Sequence, residues 1–463
     1  MIAEDVERHG ETRTVLSAGR LLVWLLLASA CRVGPPTDRG PLLLLTPFAV
    51  VVGWETGTAQ PSSLDIRAAE GAWRTVGQDH PTREHVVLVG GLTPRTRYSL
   101  RIQGAADAAP TFVTPAALSE EELHERVLGG WLGKVIGNEL GLPFEEAGLF
   151  EHCRAPFSED ISRYDGESDG VRGRVPVNHY VNDDTGLLFL SLLTVEAHGR
   201  DFTSRQLAEQ WLLHMVGHDQ HLWCAEPFAI RSFEGGVWPP ESGRNPYSHH
   251  LDAQMRADIW GWLAPGRPGS AAEMARRDAS LSNDGEGVDG AAFVAALVSG
   301  AFYTTKPRNL VRAACSVLPP ESLHRRIALD VLRWSAASPQ DWRTVWHEVE
   351  KKYARGRYQP HDGHAESMIL AGPNAANILL GVLHGGGDFS RSISIAVSAS
   401  WDTDCNGGNV GAIVGAMVGE EAIPARWIEP LHDEFSIRDF YGGLPDVLSI
   451  REVGERIDRA RAR

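Results

Sequence analysis

With 463 residues, the chain has room for two or three domains and for a core that needs no covalent staples. Its 44 Lys and Arg against 60 Asp and Glu leave a formal charge of -16, which repels a phosphate backbone; with no local basic patch visible, nucleic acid is excluded as a partner. The five cysteines, at 31, 153, 224, 315 and 405, form no C-x-x-C pair, which argues against a disulfide framework or a cysteine-only zinc site.

Residues 1–36 read as a leader. Leu21 to Ala30, LLVWLLLASA, follows Arg20 and ends at Cys31, the shape of a bacterial lipoprotein signal with a lipidation cysteine. The run is too short to span a bilayer. The long, acid-containing stretch before it and Ala28 at the start of the lipobox fit that reading poorly. Two outcomes stay open: an exported lipoprotein that meets the membrane through a lipidated Cys31, and a cytoplasmic chain with a buried or disordered leader.

Residues 37–115 read as short strands bounded by Gly, Pro, Thr or Asp: Val50 to Val52 leading to Trp54, then SLDIRAA, EHVVLV and YSLRI. Such spacing predicts a small β-sandwich. The segment GLTPRTRYSLRI, Gly91 to Ile102, resembles the strand-F corner of fibronectin type III domains. That resemblance implies that Tyr98 anchors the corner through its hydroxyl, and that the unit serves as a spacer or docking module.

From residue 116 to 463 the periodicity becomes helical. Ser119 and Glu122 form a capping-box pattern before SEEELHERVLGGWLGKVIG, and ten further apolar-periodic segments follow with no strand of comparable weight. An all-α domain of roughly 330 residues is expected, large for a single domain. Gly129, Gly133, Gly137 and Gly141 fall four apart, as do Gly407, Gly411, Gly415 and Gly419. Each set lies on one helix face, at about 0.8 to 1 kcal/mol per glycine relative to alanine. Close packing of two helices would offset that cost. Lys134, Asn138, Glu139, Glu420 and Glu421 make these water-soluble helices rather than membrane-associating ones.

Two acidic clusters stand at helix starts: YVNDDTGLLFL with Asn182, Asp183, Asp184 and Thr185, and SWDTDCNGG with Asp402, Thr403, Asp404, Cys405 and Asn406. Taken singly, each is explained by N-capping and the helix dipole. Each supplies two carboxylates where a cap needs one. If the clusters meet, every carboxylate pair about 4 Å apart repels by about 4 kcal/mol at an effective dielectric near 20, more than helix N-termini can neutralise. Hard divalent cations would neutralise it, and oxygen ligands select magnesium, calcium or manganese over zinc.

These motifs resemble the ADP-ribosylglycohydrolase family. GGWLGKVIGNELGLPFE is similar to its G-x-x-x-G-D-A-x-G-x-P-x-E helix, NDDTGLLFLSLL to its T-D-D-T-Q start, and SWDTDCNGGNVGAIVGAMVGEEAIPARW to its D-x-D-T/C-N helix with the following I-P-x-x-W. RRDASLSNDGEGVDGAAFVAAL also fits, and the likeness spans about residues 120 to 435. The resemblance implies an orthogonal all-α fold with a binuclear magnesium centre, manganese being a possible substitute. It implies hydrolysis of the glycosidic bond at the ribose carbon of ADP-ribosyl groups on a protein or small molecule. Carried over by position, Asn182, Asp183, Asp184, Asp402, Asp404 and Cys405 are the implied metal-site residues. Glu145, Asp183 and Asp404 are the implied catalytic groups, with Glu145 at the family's loop glutamate. Asn182 replaces the usual threonine, Asn138 and Glu139 the usual Asp and Ala, and Cys405 the commoner threonine, although a thiol is a poor magnesium ligand. The alternatives are a different riboside on the same centre, or a non-catalytic binding or structural protein.

Three signals are discounted. His214, His218, His221 and Cys224 fall at helical spacing without the glutamate of H-E-x-x-H, so surface or interdomain polar residues are expected rather than zinc. Trp401 is read as core rather than a stacking platform. HGGGDF, His384 to Phe389, reads as a helix cap and turn rather than a phosphate loop.

Overall fold

The computed structural model describes residues 41–103, 110–148, 155–176, 182–217, 222, 224–354, 369–437 and 442–463. The leader with Cys31, and His218 and His221, lie outside these residues.

The N-terminal unit is a β structure, but its strands are not uniformly short. After β1 (Leu42–Leu45) come β2 (Val50–Ala68, 19 residues) and β3 (Arg74–Val89, 16 residues), then β4 (Arg97–Ile102) and β5 (Thr111–Val113). All five are hydrogen-bonded into one sheet in which β2 pairs with β1, β3 and β4. The β2–β3 register shifts between Glu55 and Ser62, an irregularity of the kind that bends a strand. Residues from both halves of β2, Val50, Val52 and Trp54 with Leu64 and Ile66, join one core with Val87, Tyr98, Leu100 and Phe112. The Tyr98 hydroxyl accepts from Thr93 N at 3.0 Å, which anchors the corner as its sequence implied. The sheet's other face carries Leu44, Val51 and Val86 onto Ala313 of the helical part.

The remainder is helical. Ser119 caps the long α1 (Glu120–Gly148): Glu122 N donates to its Oγ at 3.2 Å, and Ser119 N donates back to Glu122 Oε2 at 2.8 Å. Then follow α2 (Asp183–His198), α3 (Ser204–Met215), α4 (Ala225–Glu234), the short α5 (Asp252–Met255) and α6 (Asp258–Trp262), α7 (Pro268–Ala279) and α8 (Glu286–Ala301). The chain continues through α9 (Pro307–Ala314), α10 (Leu323–Ala337), α11 (Trp342–Val349), α12 (Ala371–Gly385), α13 (Phe389–Ser398), α14 (Thr403–Val418), α15 (Ala425–Ile428) and α16 (Ile450–Ala462). Gly386, at φ 67°, closes α12, and Asp388 caps α13 by accepting from Arg391 N at 2.7 Å; HGGGDF is a cap and turn.

The two glycine stripes meet. A β-carbon at Gly129 would lie 2.6 Å from the Gly415 carbonyl oxygen, and one at Gly407 would lie 2.6 Å from that of Gly137. Gly133 and Gly411 oppose each other as closely. The partner numbers fall along one stripe as they rise along the other, so α1 and α14 run antiparallel with their backbones in contact. At the end of this seam Gly141 lies against Thr403 and Asp404. The bare stripes therefore bring the last turns of α1 onto the first turn of α14.

Candidate metal centre

The centre forms where three helix ends converge: the last turns of α1, the start of α2 and the start of α14. α1 continues through Pro143 to Gly148, so Glu145 stands on a helix, where the sequence implied a loop. Asp183 and Asp184 occupy the first turn of α2, and Asp402 is the N-cap of α14. Asp184, Asp402 and Asp404 are buried, and Glu145 and Asp183 are partly exposed.

Capping explains part of this arrangement. Asp402 accepts from Cys405 N at 3.3 Å, a long capping bond. Asn182, the N-cap of α2, makes no side-chain cap; its Nδ2 reaches across to Asp404 Oδ2 at 2.7 Å. Asn138 of α1 bridges the two acidic segments, donating to Asp184 Oδ2 at 2.5 Å and to the Asp404 carbonyl at 2.9 Å. The clusters, more than two hundred residues apart in sequence, thus share one site.

Among the described residues, two groups of three place their candidate ligand atoms within 4.8 Å of one another: Glu145, Asp402 and Asp404, and Asp184, Asp404 and Cys405. Asp404 belongs to both. Asp183 belongs to neither, although its charge is felt by Glu145. The crowding raises proton affinities. Burial first, then the charges of Asp404, Asp402 and Asp183, pushes Glu145 well above the ordinary glutamate range. Burial, then Asp184 and Asp404, does the same to Asp183, and burial followed by Asp404 to Asp402. Burial also raises Asp184, against the opposing pull of Lys134. The Cys405 thiol, pushed well up by burial and then by Asp184, Asp402 and Asp404, keeps its proton and donates to Asp184 Oδ1 at 3.1 Å.

The donor set suits a hard cation. Asp404 Oδ1 and Asn182 Oδ1 are buried and receive no hydrogen bond, whereas buried polar atoms are nearly always satisfied. Carboxylate and amide oxygens are the ligands that magnesium, calcium and manganese prefer.

Several residues at the centre carried no signal in the sequence. Lys134 is wholly buried, with its Nζ 2.9 Å from Asp184 Oδ2, 3.4 Å from Asp258 Oδ2 and 2.6 Å from the Met255 carbonyl. Burial pulls its pKa down, but Asp184 and Asp258 together hold it above the ordinary value. Asp258, pushed up to about 7 by burial despite Lys134, also accepts from Asn409 Nδ2 at 2.8 Å. Asn374 and Asn377 of α12 hold the segment before α14. Asp402 N donates to Asn374 Oδ1 at 3.2 Å, and Asn377 Nδ2 donates to the carbonyls of Ala399 and Ser400 at 3.2 and 3.0 Å. That support is needed, because Ser400 and Trp401 both have φ of 64°, a left-handed conformation that costs a non-glycine residue about 1 kcal/mol or more. Trp401 is buried in the core. His214 Nδ1 lies 2.9 Å from the Gly442 carbonyl.

Comparison with known proteins bears on the fold that carries this centre. A search of curated proteins finds no match. A solved structure described as an ADP-ribosylglycohydrolase-related protein complex aligns with 74% of this chain and 98% of its own, at 20% identity and a TM-score of 0.45. The sequence profile of the ADP-ribosylglycohydrolase family matches residues 119–459, which include all of α1, α2 and α14. The chain belongs to the ADP-ribosylglycohydrolase family.

Proposed function

We propose that the protein is a metal-dependent hydrolase of the glycosidic bond in ADP-ribosyl groups, carried on a protein or a small molecule, with magnesium as the physiological cation. The observation that carries this reading is the meeting of Glu145, Asp402 and Asp404 within 4.8 Å, beside the undonated oxygens of Asp404 and Asn182. A structural protein gains nothing from such a cluster, since carboxylates packed this closely oppose folding. A bound dication supplies fixed positive charge that draws electron density from the ribose and acidifies a nearby water.

The chain's own residues divide the remaining work. Asp402 and Asp404 hold the cation, with the Asn182 amide oxygen as a neutral third donor and Asp183 completing the acidic face. Glu145, partly exposed, accepts the proton of the attacking water as the leaving group departs from the anomeric carbon. Asn138 and Asn182 fix the acidic segments relative to each other. Cys405, a protonated donor to Asp184, orients that carboxylate and is not itself a ligand.

The test is calorimetric titration of Mg2+ into the wild type and Asp404→Asn, followed by a panel of ADP-ribosylated arginine, ADP-ribosylated serine and O-acetyl-ADP-ribose. Wild type is expected to bind Mg2+ and to hydrolyse at least one substrate. Asp404→Asn, which removes the carboxylate common to both groups of three, is expected to bind at least tenfold more weakly and to lose turnover. Absence of Mg2+ binding by the wild type overturns the reading; binding with no hydrolysis across the panel transfers it to another riboside.

A further inference from the structure

We propose that this centre takes one divalent cation rather than two, because the Lys134 ammonium is built into the fold as the second positive charge. The inference rests on the metal-dependent reading above and narrows it. The two halves of the centre differ. Asp404 Oδ1, on the carboxylate shared with the group of Glu145 and Asp402, and Asn182 Oδ1 are buried oxygens to which no donor is directed. On the side of Asp184, donors already stand at both oxygens. Oδ2 accepts from Lys134 Nζ at 2.9 Å and Asn138 Nδ2 at 2.5 Å, and Oδ1 accepts from the Cys405 thiol at 3.1 Å.

Lys134 cannot withdraw. Its side chain is fully buried, and its three N–H groups face Asp184, Asp258 and the Met255 carbonyl, which exhausts an ammonium's donors. The carboxylates it serves are buried as completely, so leaving either unpaired would be costly. A dication drawn to Asp184 would lie within a few ångströms of this ammonium in a poorly screened interior and would have to displace a thiol and an amide donor as well. The group Asp184, Asp404 and Cys405 is therefore occupied by the protein's own cation and donors. Asp402 and Asp404, with Asn182 and beside Glu145, are left to bind the exchangeable ion.

Stoichiometry tests this directly, with Mn2+ as the probe because its electron spin reports how many ions share a centre. The full chain, stripped with chelator and titrated with Mn2+, is expected to bind one equivalent and to give the resonance spectrum of an isolated ion. Two equivalents with a spin-coupled spectrum overturn the single-cation inference and leave the hydrolase reading standing. No binding removes the metal-dependent reading and this inference with it. In Lys134→Met, which keeps the chain length and deletes the charge, a second equivalent and a coupled spectrum are expected; retention of one equivalent overturns the role given to Lys134. Should that variant fail to fold, the wild-type stoichiometry decides the question alone.

Discussion

Asp402 answers two demands with one carboxyl: it caps α14 through Cys405 N at 3.3 Å, and it stands with Glu145 and Asp404 in the acidic group. Its position depends on the segment just before it, where Ser400 and Trp401 are held left-handed by neighbours rather than by their own preference. Asn377→Ala removes both amide bonds to Ala399 and Ser400 and leaves Trp346 Nε1, at 2.7 Å, to hold the Ala399 carbonyl. Thermal and urea unfolding should show a loss of about 2 kcal/mol. Because the support lies behind a proposed ligand, Mg2+ affinity should also fall by roughly 10- to 100-fold, which a purely structural defect elsewhere would not produce. A second expectation concerns protons. With Glu145, Asp183, Asp184 and Asp402 all raised above ordinary carboxyl values, a cation must displace protons that the metal-free site retains. Mg2+ affinity should therefore rise with pH, and titrations in two buffers of different ionisation enthalpy should reveal net proton release. Binding heats that do not depend on the buffer would contradict the raised proton affinities.

At the scale of elements, the α1–α14 pair explains why seven stripe glycines inside the two helices are tolerated where alanine would favour the helix, Gly419 being the positive-φ cap that ends α14. Each helix forgoes about 1 kcal/mol per glycine and gains a backbone-to-backbone approach that no side chain permits. Gly411→Ala tests the balance, since a methyl there would overlap the Gly133 carbonyl. Helix propensity alone predicts stabilisation of about 1 kcal/mol; the packing predicts destabilisation on the order of 3 kcal/mol, with the chain forced to shift at a rigid contact. A shift of the urea midpoint to lower concentration supports the close crossing, and a shift upward refutes it. Separation of these helices would also draw α14 away from Asn138, whose amide links Asp184 to the Asp404 carbonyl, so the same variant should bind Mg2+ less tightly.

For the whole molecule, the sheet is seated on the helical part rather than tethered beside it. Leu44, Val51 and Val86 pack on Ala313 of α9, Thr46 Oγ1 donates to the Gly266 carbonyl at 2.7 Å, and Arg325 Nη2 donates to the Glu84 carbonyl at 2.9 Å. Ala313→Asp would bury a carboxylate in that apolar contact at a cost on the order of 3 kcal/mol. Calorimetry should then resolve two transitions in place of a cooperative one, and an unchanged single transition would show that the docking contributes little. Among the described residues, no helix is long and apolar enough to cross a membrane, in keeping with the polar residues of the glycine-striped helices.

Much of this architecture was legible in the chain itself, because the signals are local. The Ser119 and Glu122 capping box, the left-handed Gly386 turn, the helical periodicity and the four-residue spacing of glycines each follow from preferences of neighbouring residues. The two acidic clusters were legible as anomalies, since each carries one more carboxylate than a cap requires. Other features belong to the tertiary structure. The β strands came out longer than their turn residues suggested, because one bent ribbon serves both halves of a core. Glu145 lies on α1 because Pro143 does not end that helix. Lys134 and Asp258 read as ordinary charges until folding buries them against Asp184, and Asn374 and Asn377 are anonymous amides until α12 meets the segment before Asp402. Sequence fixes which residues prefer which local conformation, whereas the charge balance of the centre depends on distances between helices that only packing sets.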